Sequence, residues 1–147
     1  MSESGSILVY YDGSAEGKCA LEHTAKLALS CGKKVHVLVV TDNVASVALS
    51  AGMLSGAACS DMVEGTSVIL DEAVRHLTAQ GTVPTGHASL GVVVDSVIRH
   101  AALVDADMIV IGHRKPRGLA KWLSSQPTLD QLVERSGGRV VVAVPVA

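Results

Sequence analysis

The 147-residue chain predicts an α/β fold: an open, doubly wound sheet of five parallel strands with helices on both faces. Three observations lead there. Short runs of Val, Ile and Leu without polar alternation recur along the chain, as strands buried on both faces require. Stretches of helical periodicity separate these runs in the order β-α-β-α-β-α-β-α-β, an alternation that forces right-handed crossovers. The composition suits a packed core: 48% of residues are hydrophobic and 18% charged, which argues against disorder. With no Phe, one Trp and two Tyr, that core has to be built from Val, Leu, Ile and Ala. One domain over residues 1–147 is expected, because this length suits a single core and neither linker nor internal repeat interrupts it.

The first strand is "ILVYY", Ile7–Tyr11, closed by the turn and capping residues Asp12, Gly13 and Ser14. A helix from Ala15 to Ser30 places Ala20, Leu21, Thr24, Leu27, Ala28 and Cys31 on one face. Lys18, Glu22 and Lys26 fall on the other face, and Gly32 is a natural stop. The second strand is Val35–Thr41. The segment Asn43–Ser60 is rich in small residues and has no period. It reads as a long connection, either a lid over a cleft or a disordered stretch. Helical spacing returns from Asp61 to Gln80, with Val63, Thr66, Leu70, Ala73, Val74 and Leu77 on one face. Residues 82–88, "TVPTGHA", form a weak third strand, and Pro84 places it at an edge. Ser89 caps a third helix, Leu90–Leu103, with Val93, Val94, Val97 and Ala101 inward. "DMIVIG", Asp107–Gly112, is a strong central strand. A fourth helix runs from Thr128 to Ser136 with Pro127 in its first turn, and "RVVVAV", Arg139–Val144, is the last strand.

The composition also excludes several classes. The formal net charge is -2, whereas nucleic-acid binders are usually basic and stack bases on aromatic side chains; no nucleic-acid partner is expected. No apolar run approaches the ~20 residues needed to span a bilayer, so no membrane partner is expected either. The polar start, "MSESGS", carries no secretion pattern. The odd set Cys19, Cys31 and Cys59 contains no CxxC pair and reads as buried reduced thiols. Together these features point to the cytoplasm. There is no GxxxxGK[ST] P-loop; "DGSAEG" stands where a dinucleotide fingerprint would, and no GxSxG elbow occurs. Asp12 stands alone where a phosphoacceptor domain would cluster acids, since Asp105 and Asp107 precede their strand. The histidines lack metal-ligand spacing: His23 and His76 fall on helix surfaces and His36 inside a strand. No catalytic group and no metal site is assigned.

In a doubly wound sheet, ligands bind beyond the carboxyl ends of the strands, where the strand order reverses. Strand one delivers Asp12, Gly13 and Ser14 there, and strand two delivers Val40 and Thr41. Strand four delivers Gly112 and then the basic run His113, Arg114, Lys115 and Arg117. An aspartate at such a point can accept from a ribose hydroxyl or an exocyclic amine, and a glycine lets a ring lie against the backbone. The same residues also suit a ligand-free reading, with Asp12 as a turn and helix cap and the basic loop solvated.

"ILVYYDGS", "VHVLVVTD", "DADMIVIGHR" and "RVVVAVPV" resemble, in order and over essentially the whole chain, the universal stress protein family. The resemblance implies the adenine nucleotide α-hydrolase-like strand order 3-2-1-4-5, a homodimer and, in many members, ATP or AMP as cofactor. The family's nucleotide signature is G-x2-G-x9-G-[ST]. Gly112 matches its first position, but Lys115, Ser125 and Gln126 stand at the other three. Glycines there let backbone amides approach phosphate oxygens, and side chains obstruct that approach. "GHRKPRGLAKWLSSQ" is similar to the branch typified by universal stress protein A, which lacks the signature. The implied function is a non-catalytic stress-response homodimer with weak or no ATP binding. The alternative is an adenine-nucleotide (ATP or AMP) binder with a modified phosphate loop, or a slow ATPase, in which Lys115 and Arg117 replace backbone donors. The resemblance would then put adenine at Asp12, Val40 and Gly112, and the phosphates at Lys115, Ser125, Gln126 and Thr128. The dimer is expected through the last strand, Val140, Val141, Val142, Ala143 and Val144. A bare apolar edge invites pairing, and antiparallel pairing about a twofold axis closes the assembly.

Overall fold

The apolar runs pair side by side into a five-stranded sheet in a computed structural model of the chain, which describes residues 5–41, 56–114 and 127–146. The elements in chain order are β1 (Ser6–Tyr10), α1 (Ala15–Cys31), β2 (Lys34–Thr41), α2 (Gly56–Ala79), β3 (Pro84–Leu90), α3 (Val93–Leu103), β4 (Ala106–His113), α4 (Pro127–Arg135) and β5 (Val140–Pro145). The strand order is β3-β2-β1-β4-β5, and every neighbouring pair is parallel. Side chains alternate between two core layers with the period of a strand. Ile7, Val9, Val35, Val37, Val39 and Val110 pack under α1 and α2. Leu8, Leu38, Ile109 and Ile111 pack under α3 and α4. Both faces of the central strands are therefore dry, which is why those strands are written as unbroken apolar runs. Each fully buried Leu or Ile contributes about 1.5–3 kcal/mol.

Most boundaries differ from the sequence reading by one or two residues, and a few differ in ways that change a residue's part. The helix expected to begin at Asp61 begins at Gly56. Residues 56–60 of the presumed connection are thus helical, consistent with the propensity of Ala57 and Ala58, while residues 43–55 lie outside the described part. The third strand is shifted to Pro84–Leu90, so Ser89 lies within a strand rather than capping a helix. Gly91, at φ +124°, turns the chain, and α3 starts at Val93 after Val92, which makes no side-chain cap bond. Ser89 fastens β3 to α3 instead: its Oγ lies 3.1 Å from Ser96 Oγ and accepts from Arg99 Nη2 at 2.7 Å. Asp107 lies within β4 rather than before it, and it pairs with Lys33 at 2.5 Å.

The thiols are not uniformly buried: Cys19 is half-buried and Cys31 exposed. The buried stripe of α1 runs through Gly17, Ala20, Leu21, Thr24, Ala25 and Ala28. Cys31 is the last helical residue, where the chain turns off through left-handed Gly32. His76 is half-buried rather than on the surface. The side chain of Cys59 lies outside the described part.

Two glycines fix how α1 lies on the sheet. A Cβ on Gly112 would stand 2.2 Å from the carbonyl oxygen of Glu16, and one on Gly17 would stand 2.9 Å from Tyr11 Cδ1. Helix and strand touch backbone to backbone at Gly112, so that glycine is required by packing whether or not a ligand is present. Gly112→Ala is expected to destabilise the fold by about 3 kcal/mol, the upper part of the overpacking range. Gly65, on α2 with open space around its Cα, is the contrast: Gly65→Ala should stabilise by about 0.5–1 kcal/mol through helix propensity. Chemical denaturation of both variants checks this, and equal midpoints would contradict it.

Candidate functional site

The strand order reverses between β1 and β4, whose connections leave in opposite directions. Such a switch point opens a crevice at the carboxyl ends of the strands. A cleft of about 370 Å³ lies there, and Tyr10, Asp12, Val93, Ile111, Gly112 and Thr128 are among the residues lining it. Sequence logic places each of them. Tyr10 is the last residue of β1 and falls by period two on the face of Leu8. Asp12 follows in the turn, Ile111 and Gly112 come from the end of β4, Val93 opens α3 and Thr128 lies in the first turn of α4.

The turn after β1 organises itself. The backbone N–H of Ser14 donates to Asp12 Oδ1 at 3.0 Å, and the Ser14 hydroxyl donates to the same oxygen. Ser14 is also the N-cap of α1, its Oγ accepting from the N–H of Gly17 at 3.0 Å. Gly13 supplies the positive φ, +83°, that the turn needs. Behind it, Tyr11 is fully buried and donates its hydroxyl proton to Glu72 at 2.8 Å. Burial, then that carboxylate, then Asp12 hold the Tyr11 phenol well above its ordinary range, so it stays a neutral donor.

Glu16 lies in the first turn of α1, at the positive end of the helix dipole. It lines the cleft and accepts from Arg114 at 3.2 Å. Arg114 is largely exposed, so the pair contributes little to stability, but it positions a guanidinium and a carboxylate together at the mouth.

Of the residues singled out from sequence, Asp12, Gly112 and Thr128 meet in this cleft. Val40 does not line it; it packs half-buried against the core layer beneath α3 and α4. Lys115, Ser125 and Gln126 lie outside the described residues. Sequence reading passed over Tyr10, Glu16, Val93 and Leu129 as cleft residues. Period two along β1 points to Tyr10, and the spacing from the Ser14 cap points to Glu16. Val93 needed the correct start of α3. Among the described residues, no group of three or more His, Cys, Asp or Glu is arranged to hold a metal ion, and no helix is long and apolar enough to cross a membrane. A second, more open groove of about 670 Å³ follows the β3 edge, with Thr41, Leu70, Leu90, His100 and Leu103 among its walls. It shares no lining residue with the switch-point cleft.

The profile of the universal stress protein family matches residues 4–144. The fold is shared with a protein of that family from Burkholderia pseudomallei, 17% identical, with a TM-score of 0.72 over 99% of this chain and 100% of that one. A universal stress protein in complex with cAMP is 22% identical, with a TM-score of 0.70 over 99% of this chain and 100% of that one. The universal stress protein from Archaeoglobus fulgidus in complex with dAMP is 17% identical, with a TM-score of 0.69 over 97% of this chain and 99% of that one. Comparison with curated proteins finds no match. With a family profile spanning nearly its whole length and the 3-2-1-4-5 parallel sheet, the chain belongs to the universal stress protein family.

Proposed function

We propose that the chain acts in the stress response as a cytoplasmic, non-catalytic homodimer of the A-type branch, with weak or no affinity for ATP in the β1/β4 cleft. One observation carries this reading. The amino end of α1, which borders the cleft and whose dipole favours anions, is partly occupied by the chain's own side chains. Ser14 N–H is taken by Asp12 and Gly17 N–H by Ser14 Oγ. Glu16 adds a carboxylate in the same turn and engages Arg114. A triphosphate entering the cleft from that side would meet two carboxylates, Asp12 and Glu16. The replacement of the signature glycine and hydroxyl positions by Lys115, Ser125 and Gln126 acts in the same direction. The free thiols Cys19 and Cys31 suit a reducing compartment.

A second reading, specific binding of an adenine nucleotide such as ATP or AMP with slow ATPase activity, is favoured by the neighbours in complex with cAMP and dAMP. Under it the base lies near Asp12 and Gly112 and the phosphates near Thr128, Lys115, Ser125 and Gln126. Arg114 would then exchange Glu16 for a phosphate. A cleft of about 370 Å³ is at the small end of ligand sites.

The proposed homodimer pairs through β5, which forms an outer edge of the sheet. Val140 is 54% exposed there and Ala143 is exposed, so the edge offers unpaired backbone flanked by apolar side chains.

Calorimetric titration with ATP, AMP and cAMP is expected to give dissociation constants of about 100 µM or weaker, and Glu16→Gln should tighten ATP binding severalfold. A micromolar constant lost in Asp12→Ala would decide for the second reading. Ala143→Lys, at an exposed position of β5, should yield a folded monomer in light scattering; an unchanged dimer would remove β5 as the interface.

A further inference from the structure

Three of the six histidines, distant in sequence, meet at the outer edge of the sheet. His36 lies on β2, His87 on β3 and His100 on α3. His36 Nδ1 is 2.9 Å from His87 Nε2, with ring centroids 5.1 Å apart. His87 meets the ring of His100 edge-on at 5.6 Å. His100 Nδ1 lies 2.9 Å from the carbonyl oxygen of Ser96. A carbonyl only accepts, so that nitrogen carries the proton.

This stack lies on an edge strand that the core layers do not include. Neither core layer contains a residue of β3, and none of its side chains is fully buried. What fixes β3 is its ladder to β2, the close seat of Gly86 beneath Leu70, the contacts of Ser89 with Ser96 and Arg99, and His87 between its two partners.

The proton count of the stack is limited. In the neutral His36–His87 pair one ring donates and the other accepts. One further proton can sit on the outer nitrogen of the donor ring with the bond intact. A second must take the accepting lone pair, which places N–H against N–H and two positive rings in contact. The charges acting on the pair oppose even the first: Lys34 on His36, and His36 and His100 on His87. On α3, Arg99 turns to Ser89, and Asp95 is engaged by Arg135 at 2.6 Å. On its other face β3 meets α2 through Leu70.

We propose that His36, His87 and His100 form a proton-sensitive latch that holds edge strand β3 at neutral pH and releases it from β2 and α3 in mild acid. Burial first, then these positive neighbours, pushes His36 and His87 below the ordinary histidine range. The released strand therefore binds more protons than the latched one. Latching is complete above the free-histidine value of about 6.5 and is lost as the pH falls below it. Because β3 and His100 wall the groove of about 670 Å³, that groove exists in its present shape only while the latch is closed. The latch is independent of any nucleotide in the β1/β4 cleft.

Amide hydrogen exchange on the whole protein at pH 7 and pH 5, corrected for intrinsic rates, tests this. Protection of residues 85–90 should fall by about tenfold per proton taken up for each pH unit, with β1 and β4 unchanged. His87→Gln should show equal β3 protection at both pH values, and His36→Gln provides the same test if His87→Gln does not fold. His23→Gln, on the exposed surface of α1, should keep the wild-type response. Equal wild-type protection of β3 at the two pH values would overturn the proposal, as would a loss shared by β1 and β4 or a response retained in both Gln variants. A rise in β3 protection on adding Zn²⁺ at pH 7, absent in His87→Gln, would make the cluster a metal site and overturn the latch.

Discussion

The contact between Gly112 and the first turn of α1 is the constraint from which the cleft follows. Strand β4 and helix α1 meet backbone to backbone there, and the Ser14 cap fixes the register of the helix one turn from its start. Gly17 settles the tilt by seating on the Tyr11 ring, and Tyr11 is itself anchored to Glu72. The helix can therefore neither slide nor lift without breaking a buried contact. Its amino end is aimed across the switch point between β1 and β4, and the cleft is what remains between that end, α3 and α4. Its floor is shaped by packing, so it would persist even in a member whose ligand chemistry had drifted.

That rigidity separates two properties usually read together in this fold. A glycine at the end of β4 looks like a nucleotide feature, yet here a side chain would collide with the helix before it met any ligand. The electrostatics are then free to diverge from the geometry. Glu16 and Asp12 put negative charge in the wall of the cleft, and two amides of the turn, those of Ser14 and Gly17, are engaged within it. A fold retained for its packing carries no obligation to retain its ligand. The decisive features are individual side chains at one helix terminus rather than the architecture around them.

The architecture itself was legible because burial on both faces leaves an unmistakable mark. Ile7–Val9, Val37–Val39 and Ile109–Ile111 alternate between two dry layers, so each had to be written without polar residues. The resemblance supplied the strand order, and the observed pairing agrees. Local signals failed where small or polar residues do tertiary work. The start of α2 hid in a run of Gly, Ala, Cys and Ser. Ser89 resembled a cap but serves as a tie between β3 and α3. In the cleft, Asp12 and Gly112 could be read from strand ends, whereas Glu16 depends on an ion pair to Arg114, 98 residues away in the chain. The histidine stack is wholly non-local: no spacing within the sequence links His36, His87 and His100, and only the seven-residue β2–β3 register together with the packing of α3 brings them together.

The two edges of the sheet are built on opposite principles. Strand β5 presents Val140, Val141 and Val142 with little charge. Strand β3 opens with Pro84, which has no amide hydrogen to offer, and continues through Thr85, Gly86, His87 and Ser89. Polar, proline-led edges resist pairing and apolar ones invite it. A chain with one adhesive edge and one blunt edge can satisfy the first by twofold pairing and then has nothing left to extend from, so the assembly closes. The blunt edge matters because of what it covers. Beneath β3 lies β2, whose Val35, Val37, Leu38 and Val39 are as apolar as β5. On the proposed latch, mild acid uncovers that second adhesive edge, and a molecule with two adhesive edges pairs without limit. On the proposed latch and the proposed β5 pairing, the histidines beside β3 would stand between a closed dimer and open-ended association, a physical reason for a polar cluster where a few apolar residues would anchor the strand more firmly.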